Sequence, residues 1–153
     1  MLVEEKFTVR APIQEVWSFT VDPTKLGSCV PGLEKVEQID DRTYLATVRV
    51  KVGPMGARFR FTVSITELDP PRHLKSVAQG ADIGLSKGGN FSQEAEVDLK
   101  EISKDEVEFS YRMVVNVVGK FATFGERIMR AKAKELGSKF VQNVKEKIET
   151  KAA

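Results

Sequence analysis

Reactive side chains are scarce in this chain of 153 residues. It contains one cysteine, Cys29, and one histidine, His73. A single cysteine cannot form a disulfide within the chain. The two residues are also too few for a CxxC redox motif or for a zinc site built from clustered cysteines and histidines. We therefore exclude an internal disulfide, CxxC redox chemistry and metal chemistry on soft ligands, and we expect neither a metal nor a cofactor.

An excess of charge of one sign is also lacking. The chain has 24 basic and 22 acidic side chains and a formal net charge of +2, which is too small to attract nucleic acid by bulk electrostatics. No apolar run approaches the ~20 residues of a membrane span. Apolar and charged residues alternate from Met1 to Arg10, unlike a signal peptide. We expect a cytoplasmic protein that binds no nucleic acid.

Phenylalanine is the aromatic residue in surplus, with nine copies against one tryptophan and two tyrosines. The length fits one domain with a full core, because about 68–70% of the unfolded chain's surface can be buried at this size. We place this domain at residues 1–150 and a short disordered tail at 151–153. The positions of the phenylalanines along the chain then indicate whether they form a core or line a binding site.

The first thirty residues predict one strand and two short helices. Residues alternate between two faces from Val3 to Val9, which is typical of a strand with one buried side. Pro12 suits the first turn of a helix that ends near Asp22-Pro23. A second short helical turn follows towards Cys29.

Two-residue alternation dominates from Leu33 to Val118. Turn signals interrupt it at 40–41, 53–54, 69–71, 84–89 and 103–105, which predicts six consecutive antiparallel strands with one apolar and one polar face. After Gly119 the period becomes helical. The sequence therefore predicts an α+β domain with a curved seven-stranded antiparallel sheet, a long C-terminal helix that lies across it, and two short helices between strands 1 and 2.

Nine apolar and aromatic side chains form our candidate binding site. They lie on the inward parity of the strands or on the helix expected to face them: Phe59, Phe61, Phe91, Phe109, Tyr111, Met113, Phe121, Phe124 and Ile128. A curved sheet gripped by one helix is hard to fill with side chains, and aromatic pockets of ~300–1,000 Å³ are typical of small-molecule sites. Plain core packing is the alternative. The Tyr111 hydroxyl is placed either to orient a ligand carbonyl or to make a structural hydrogen bond.

Catalytic constellations are not evident. His73 follows two prolines in a polar turn, where an exposed histidine is more typical than a base with an orienting partner. Cys29 is predicted to be a buried structural thiol. Glu94, Glu96 and Asp98 share the parity that faces water, so they do not form a carboxylate pair in a cleft. We expect no enzymatic activity.

Glycines raise two further questions. The stretch 84–89 is rich in glycine, but strand-like alternation follows it, whereas a phosphate loop leads into a helix. We predict a flexible hairpin at the mouth of a cavity. Gly125 and Gly137 weaken the long helix by about 1 kcal/mol each relative to alanine, so each needs a reason such as close packing or a bend.

Basic residues concentrate in the last segment. Between Lys120 and Lys151 they outnumber acidic residues nine to four. A solvated surface is the usual meaning of such a stripe. The functional alternative is docking to an anionic membrane surface or an acidic partner, for which Arg127, Arg130 and Lys134 are the candidates.

Short motifs along nearly the whole chain carry a family resemblance. They are Ala11-Pro12, Val16-Trp17, Asp22-Pro23, Cys29-Val30-Pro31-Gly32, Val50-Lys51-Val52-Gly53-Pro54, Asp69-Pro70-Pro71, Gly80, and Val118-Gly119-Lys120-Phe121-Ala122 with Gly125, Arg127, Leu136 and Phe140. Each motif is weak alone, but their order and spacing together are fairly specific. The sequence resembles the carbon monoxide dehydrogenase CoxG family. The order of elements resembles the START/Bet v 1-like (SRPBCC) helix-grip superfamily.

The resemblance implies a lipophilic cavity between the sheet and the terminal helix. It also implies association with carbon monoxide dehydrogenase or a related molybdenum hydroxylase, membrane recruitment and, for some members, a bound quinone. On this basis we predict a non-enzymatic accessory protein that binds a hydrophobic small molecule, a quinone or a lipid, and that is cytoplasmic or peripheral at the inner face of the membrane. The alternative is a ligand-free adaptor that docks through its basic helix. A third hypothesis is an enzyme of the cyclase or hydrolase type known on this fold.

Overall fold

Seven strands, three α-helices and one 3₁₀ turn build the fold over residues 1–84 and 89–152, the part of the chain that the computed structural model describes. In chain order they are β1 (Leu2–Val9), α1 (Ile13–Thr20), α2 (Pro23–Gly27), β2 (Leu33–Asp40), β3 (Thr43–Val52), β4 (Met55–Asp69), β5 (His73–Asp82), β6 (Asn90–Ser103), β7 (Glu106–Val118), the 3₁₀ turn (Lys120–Phe124) and α3 (Gly125–Ala152). The predicted fold class and element order are confirmed.

All seven strands form one antiparallel sheet in the order β1-β7-β6-β5-β4-β3-β2. Strands β2 to β7 pair with their neighbours in sequence. β1 pairs with β7, from Leu2 opposite Val114 to Val9 opposite Val107. β1 and β2 are therefore the two edges of the sheet, and the segment that carries α1 and α2 connects them. The curved sheet wraps around α3.

Local sequence explains where the two short helices begin. Pro12 precedes α1 in an extended conformation, which its ring favours. The Asp22 carboxylate accepts hydrogen bonds from the backbone N–H groups of Thr24 and Lys25 at 3.0 and 3.1 Å. This cap, with Pro23 in the first turn, fixes the start of α2.

Two apolar clusters pack against the concave face at opposite ends of the strands. The buried residues of the first cluster are Val9, Ala11, Val16, Trp17, Phe19, Cys29, Leu74, Val97, Leu99, Val107, Phe109, Tyr111, Val144 and Ile148. Those of the second cluster are Val52, Ala57, Phe59 and Phe121, with Val50, Met55, Phe61, Phe91, Val117, Phe124 and Met129 packed against them. The concave face is therefore closed at both ends by side chains.

Helix α3 turns one stripe of side chains towards the sheet. Steps of three and four residues place on it Met129, Ala133, Gly137, Phe140, Val144 and Ile148. Val144 and Ile148 are buried in the first cluster, and Met129 packs against the second. Of the helices described, none combines the length and apolar character needed to span a bilayer.

The two glycines of α3 have separate reasons. Gly125 has a φ of 85°, a conformation that favours glycine, where the 3₁₀ turn meets the helix. At Gly137, a Cβ would lie 3.1 Å from Tyr111 Oη. Close packing is therefore the explanation for Gly137, and the junction geometry is the explanation for Gly125.

Two predictions concern residues that lie partly outside the described ranges. Of the hairpin predicted at 84–89, only the end residues Gly84 and Gly89 are described. Of the tail predicted at 151–153, the first two residues belong to α3, and Ala153 lies outside the described residues.

Candidate functional site

Five of the nine predicted lining residues meet in the second cluster. They are Phe59, Phe61, Phe91, Phe121 and Phe124. The ring centroid of Phe91 lies 6.0 Å from that of Phe59 and 5.5 Å from that of Phe61. Phe121 lies 5.7 Å from Phe59. Because Phe121 and Phe124 belong to the 3₁₀ turn, this turn closes one end of the concave face with aromatic rings.

Phe109, Tyr111 and Met113 belong instead to the first cluster. Phe109 is 1% exposed and stacks on Phe7 with 4.8 Å between ring centroids, so its ring has no surface left for a ligand. Tyr111 packs edge-on against Phe140 with 5.7 Å between centroids. The predicted residues therefore do not form one continuous lining, because they are divided between the two ends of the sheet.

Ile128 does not face the sheet, contrary to the prediction. Its side chain is 47% exposed, and its neighbour Met129 packs against the second cluster instead. The residues before Gly125 form a 3₁₀ turn, in which each residue advances about 120° rather than the about 100° of an α-helix. A single helical phase drawn from Phe121 through Phe124 therefore places the wrong residue of α3 inward.

Two rows of inward-facing residues separate the clusters in the middle of the sheet. Strand register places in the first row Val63, Ala78, Gln93 and Val115, and in the second row Ile65, Ser76, Ala95 and Met113. Of their apolar members in the described chain, only Met113 packs against either cluster. We call the space over these two rows the central gap.

Side chains in the two rows differ in exposure: Ala78 and Val63 are buried, whereas others remain partly exposed. Ser76, Gln93 and Ala95 are half-buried although they face inward on interior strands of the sheet. The part of α3 between the two clusters contributes Ala133 and Gly137 to its inward stripe. Close-packed interiors leave few voids, so the partial exposure of these inward-facing side chains distinguishes this stretch from the two clusters.

Polar groups that the sequence analysis did not single out also face inward. Glu5 lies opposite Tyr111 across β1 and β7. Gln93 and Ser76 lie in the two central rows. Each lies two residues from an apolar residue that faces inward on the same strand. The two-residue alternation in the sequence therefore was the signal that could have identified them.

Tyr111 supplies a hydroxyl next to the central gap. The residue is 7% exposed. Burial, with a smaller contribution from the negative charge of Glu5, raises the pKa of Tyr111 to about 12, so the hydroxyl stays protonated at neutral pH. Among the described residues it has no hydrogen-bond partner. Of the two roles predicted for this hydroxyl, the structural hydrogen bond is therefore not formed with any described residue.

The family follows from comparison with known sequences. The sequence model of the CoxG family, described as a subunit of carbon monoxide dehydrogenase, matches residues 6–149. The chain belongs to the CoxG family. A comparison with curated proteins gave no match.

Solved structures similar to this CoxG-family chain share its fold. A conserved protein from Geobacillus kaustophilus is 25% identical, with a TM-score of 0.88 over 100% of this chain and 98% of that chain. A START superfamily protein from Mycobacterium smegmatis is 11% identical, with a TM-score of 0.72 over 97% of each chain. The Zhui aromatase/cyclase from Streptomyces sp. R1128 is 16% identical, with a TM-score of 0.70 over 100% of this chain and 96% of that chain. The START-like fold of this CoxG-family protein is thus confirmed.

His73 has orienting partners that the sequence analysis did not find. Its Nδ1 lies 2.7 Å from Asp98 Oδ1, and its Nε2 lies 3.1 Å from Glu67 Oε2. The hydrogen bond to Asp98, opposed by burial and assisted by Glu67, raises the pKa of His73. One side-chain nitrogen or carboxylate oxygen from each of His73, Glu96 and Asp98 lies within 4.8 Å of the other two. This group is on the outer face of the sheet, as predicted for the two acids, and therefore away from the central gap.

Cys29 behaves as the buried thiol that the sequence predicts. It is fully buried in the first cluster, and burial raises the pKa of the thiol despite the opposing charge of Lys147. A raised pKa keeps the less nucleophilic thiol form at neutral pH.

The three basic residues proposed for docking are not equivalent. Arg130 donates from Nη2 to Glu126 Oε1 at 2.7 Å and from Nη1 to the Leu2 carbonyl at 3.2 Å, so it ties α3 to the edge strand β1. Arg127 and Lys134 are exposed and form no ion pair with any described residue. Only these two remain available for a partner in this conformation.

Two open depressions lie outside the central gap. One, of about 770 Å³, is lined by Arg10 and by one side of α3: Ser138, Val141, Gln142, Lys145, Glu146 and Glu149. The other, of about 490 Å³, is lined mainly by outward-facing residues near one end of β5, β6 and β7, with Phe91 at its edge. Neither coincides with the predicted aromatic lining.

Proposed function

We propose that this CoxG-family protein binds a hydrophobic small molecule, quinone-like or a lipid, in the central gap and does not transform it. The observation that carries the proposal is the partial exposure of inward-facing residues on interior strands, between two well-packed clusters. Covering apolar surface is favourable by roughly 25 cal/mol per Å². A ligand of mainly apolar surface therefore gains free energy by filling this space.

The chemistry of the inner face supports binding without turnover. Tyr111 places a hydroxyl beside the gap, and its pKa of about 12 makes it a hydrogen-bond donor rather than a base at neutral pH. The histidine that could serve as a base, His73, is on the other face of the sheet. These placements favour a binding protein over an enzyme of the cyclase type.

The family supports the choice of partner. A protein of the carbon monoxide dehydrogenase CoxG family is expected to act beside carbon monoxide dehydrogenase or a related molybdenum hydroxylase. This protein would then be an accessory to that enzyme. It would lie at the membrane surface when the enzyme complex is attached to the membrane.

Native mass spectrometry of the purified protein, followed by organic extraction, tests ligand binding. We expect an added mass that extraction releases as a quinone or lipid. The variant Ala95→Leu, which places three more carbon atoms in the gap, should lose it. The matched control Ala81→Leu adds the same group on the outer face of β5 and should retain it. Ligand-free protein that also fails to bind added 2-methyl-1,4-naphthoquinone or a fatty-acid ester would contradict the proposal.

A second candidate function, docking through α3, is favoured by the exposure of Arg127 and Lys134. Charge reversal of both residues should weaken capture of an acidic partner or of anionic vesicles without unfolding the protein. The matched control is Lys139→Glu on the same helix, because Lys139 already pairs with Glu135. Equal capture by all three proteins would reject docking through this surface.

A further inference from the structure

Gln93 stands out among the residues of the central gap. It lies on β6 between Phe91 and Ala95 along the inward face, and it pairs with Ala78 on β5 and Val115 on β7. All four of these neighbours are apolar. Burying an amide among apolar groups without a hydrogen bond costs on the order of 1–3 kcal/mol in proteins, so a glutamine here needs a partner.

No such partner exists within residues 1–84 and 89–152. The Gln93 side chain makes no hydrogen bond to any of them. Across the same residues, no fully buried side-chain N or O atom is left without a partner. The Gln93 amide therefore borders space that a water molecule can enter, although it points to the concave side of the sheet.

Two other unpartnered groups face the same side. The Ser76 hydroxyl lies in the adjacent row, and the Tyr111 hydroxyl lies at the edge of the first cluster, on a residue that is 7% exposed. Neither hydroxyl has a hydrogen-bond partner among the described residues. All three groups can donate a hydrogen bond, and the raised pKa of Tyr111 keeps it a donor at neutral pH. Donors that lie along one apolar face are complementary to an acceptor oxygen.

We infer that Gln93 determines ligand specificity, by donating a hydrogen bond from its side-chain amide to a carbonyl oxygen of an otherwise apolar ligand. Ser76 and Tyr111 offer further donors along the same face. The inference rests on the proposed function and narrows it, because hydrocarbons without a carbonyl group are then poor ligands. A ring ketone and an acyl ester both provide such a carbonyl.

The test compares carbonyl ligands with their hydrocarbon counterparts. Equilibrium dialysis gives dissociation constants for two probe pairs: 2-methyl-1,4-naphthoquinone with 2-methylnaphthalene, and methyl decanoate with decane. The proteins are wild type, Gln93→Leu, Gln93→Met and the control Gln79→Leu, which changes an exposed glutamine on the outer face of β5. The quantity of interest is the preference for the carbonyl member of each pair.

We expect the preference to fall about tenfold in both Gln93 variants, as one hydrogen bond is lost, and to stay unchanged in Gln79→Leu. The probe pair that shows the fall identifies the ring or the ester as the source of the carbonyl. An unchanged preference in Gln93→Leu and Gln93→Met, with binding retained, overturns the role of Gln93 and leaves the proposed function standing. Absence of binding of all four probes to the wild type overturns both. If Gln93→Leu does not fold, the nearly isosteric Gln93→Met gives the same decision.

Discussion

At the scale of single residues, Gly80 shows how tightly the second cluster is fitted to the sheet. It lies in register between Phe61 on β4 and Phe91 on β6, and the rings of these two residues approach to 5.5 Å across it. A Cβ at Gly80 would lie 2.1 Å from the Arg60 carbonyl oxygen and 2.4 Å from Phe61 Cβ. Only glycine fits this place, because the obstructing atoms belong to backbone and to a Cβ that cannot rotate away.

Substitution Gly80→Ala should therefore destabilise the protein by about 1–3 kcal/mol, the usual cost of overpacking. Urea denaturation followed by circular dichroism measures the free energy of unfolding. The matched control is Gly56→Ala on β4, where a Cβ would meet nothing within 4 Å. Equal stability of the two variants would show that the sheet relaxes around position 80.

Tyr111 gives a second prediction at the residue scale. Its hydroxyl has no partner among the described residues, so Tyr111→Phe should change the free energy of unfolding by no more than about 0.5 kcal/mol. The same substitution should weaken binding of a carbonyl ligand, because a donor is lost. A stability loss of about 1 kcal/mol or more would instead indicate a structural hydrogen bond.

At the scale of elements, the two-residue period and the turn residues were sufficient to predict the sheet. The dipeptide at 53–54 lies between β3 and β4, and the turn signals at 40–41 and 69–71 begin at the last residues of β2 and β4. The 3₁₀ turn was not predictable, because its residues 120–124 have the same apolar spacing as a helix. Because of that turn, the side of α3 that faces the sheet differs from the side that one continuous helix predicts, and Ile128 is exposed. The division of the aromatic residues into two clusters depends on register across strands, which single-strand patterns do not contain.

His73 links three strands, and this link predicts a dependence of stability on pH. It pairs with Glu67 on β4 and with Asp98 on β6, which raises its pKa in the folded state above the ordinary value of about 6.5. A raised folded-state pKa means that the protonated form is the one that stabilises. Its contribution is fully present below about pH 6.5 and is lost as pH rises through the higher folded-state pKa.

The difference in unfolding free energy between wild type and His73→Gln should therefore be larger at pH 6 than at pH 9. Urea denaturation at both pH values measures it. Because His73 is the only histidine, no other imidazole contributes to the difference. A difference that is constant or that grows towards pH 9 would show that the protonated ring does not stabilise these strands.

At the scale of the whole molecule, the sequence does not decide whether the interior of the fold is a packed core or a binding site. Inward phenylalanines serve equally well as core and as the wall of a binding site. The structure places Phe109 in the first cluster and Phe59, Phe61 and Phe91 in the second, next to the rows that contain the half-buried Gln93 and Ala95. These half-buried residues between the clusters are small or polar, and nothing in the amino-acid composition singles them out as site residues.

The sign of one stability change distinguishes a close-packed interior from a binding space. In a close-packed interior, Ala95→Leu forces neighbours apart and costs about 1–3 kcal/mol. In an unfilled gap, the added side chain covers apolar surface, and each buried methylene group contributes up to about 0.8 kcal/mol. We expect ligand-free Ala95→Leu to be at least as stable as the wild type by urea denaturation, while Ala81→Leu on the outer face changes little. Loss of stability in Ala95→Leu alone would mean that the central rows are core. Retained stability with loss of ligand would mean that the middle of this sheet is left uncovered for the molecule it binds.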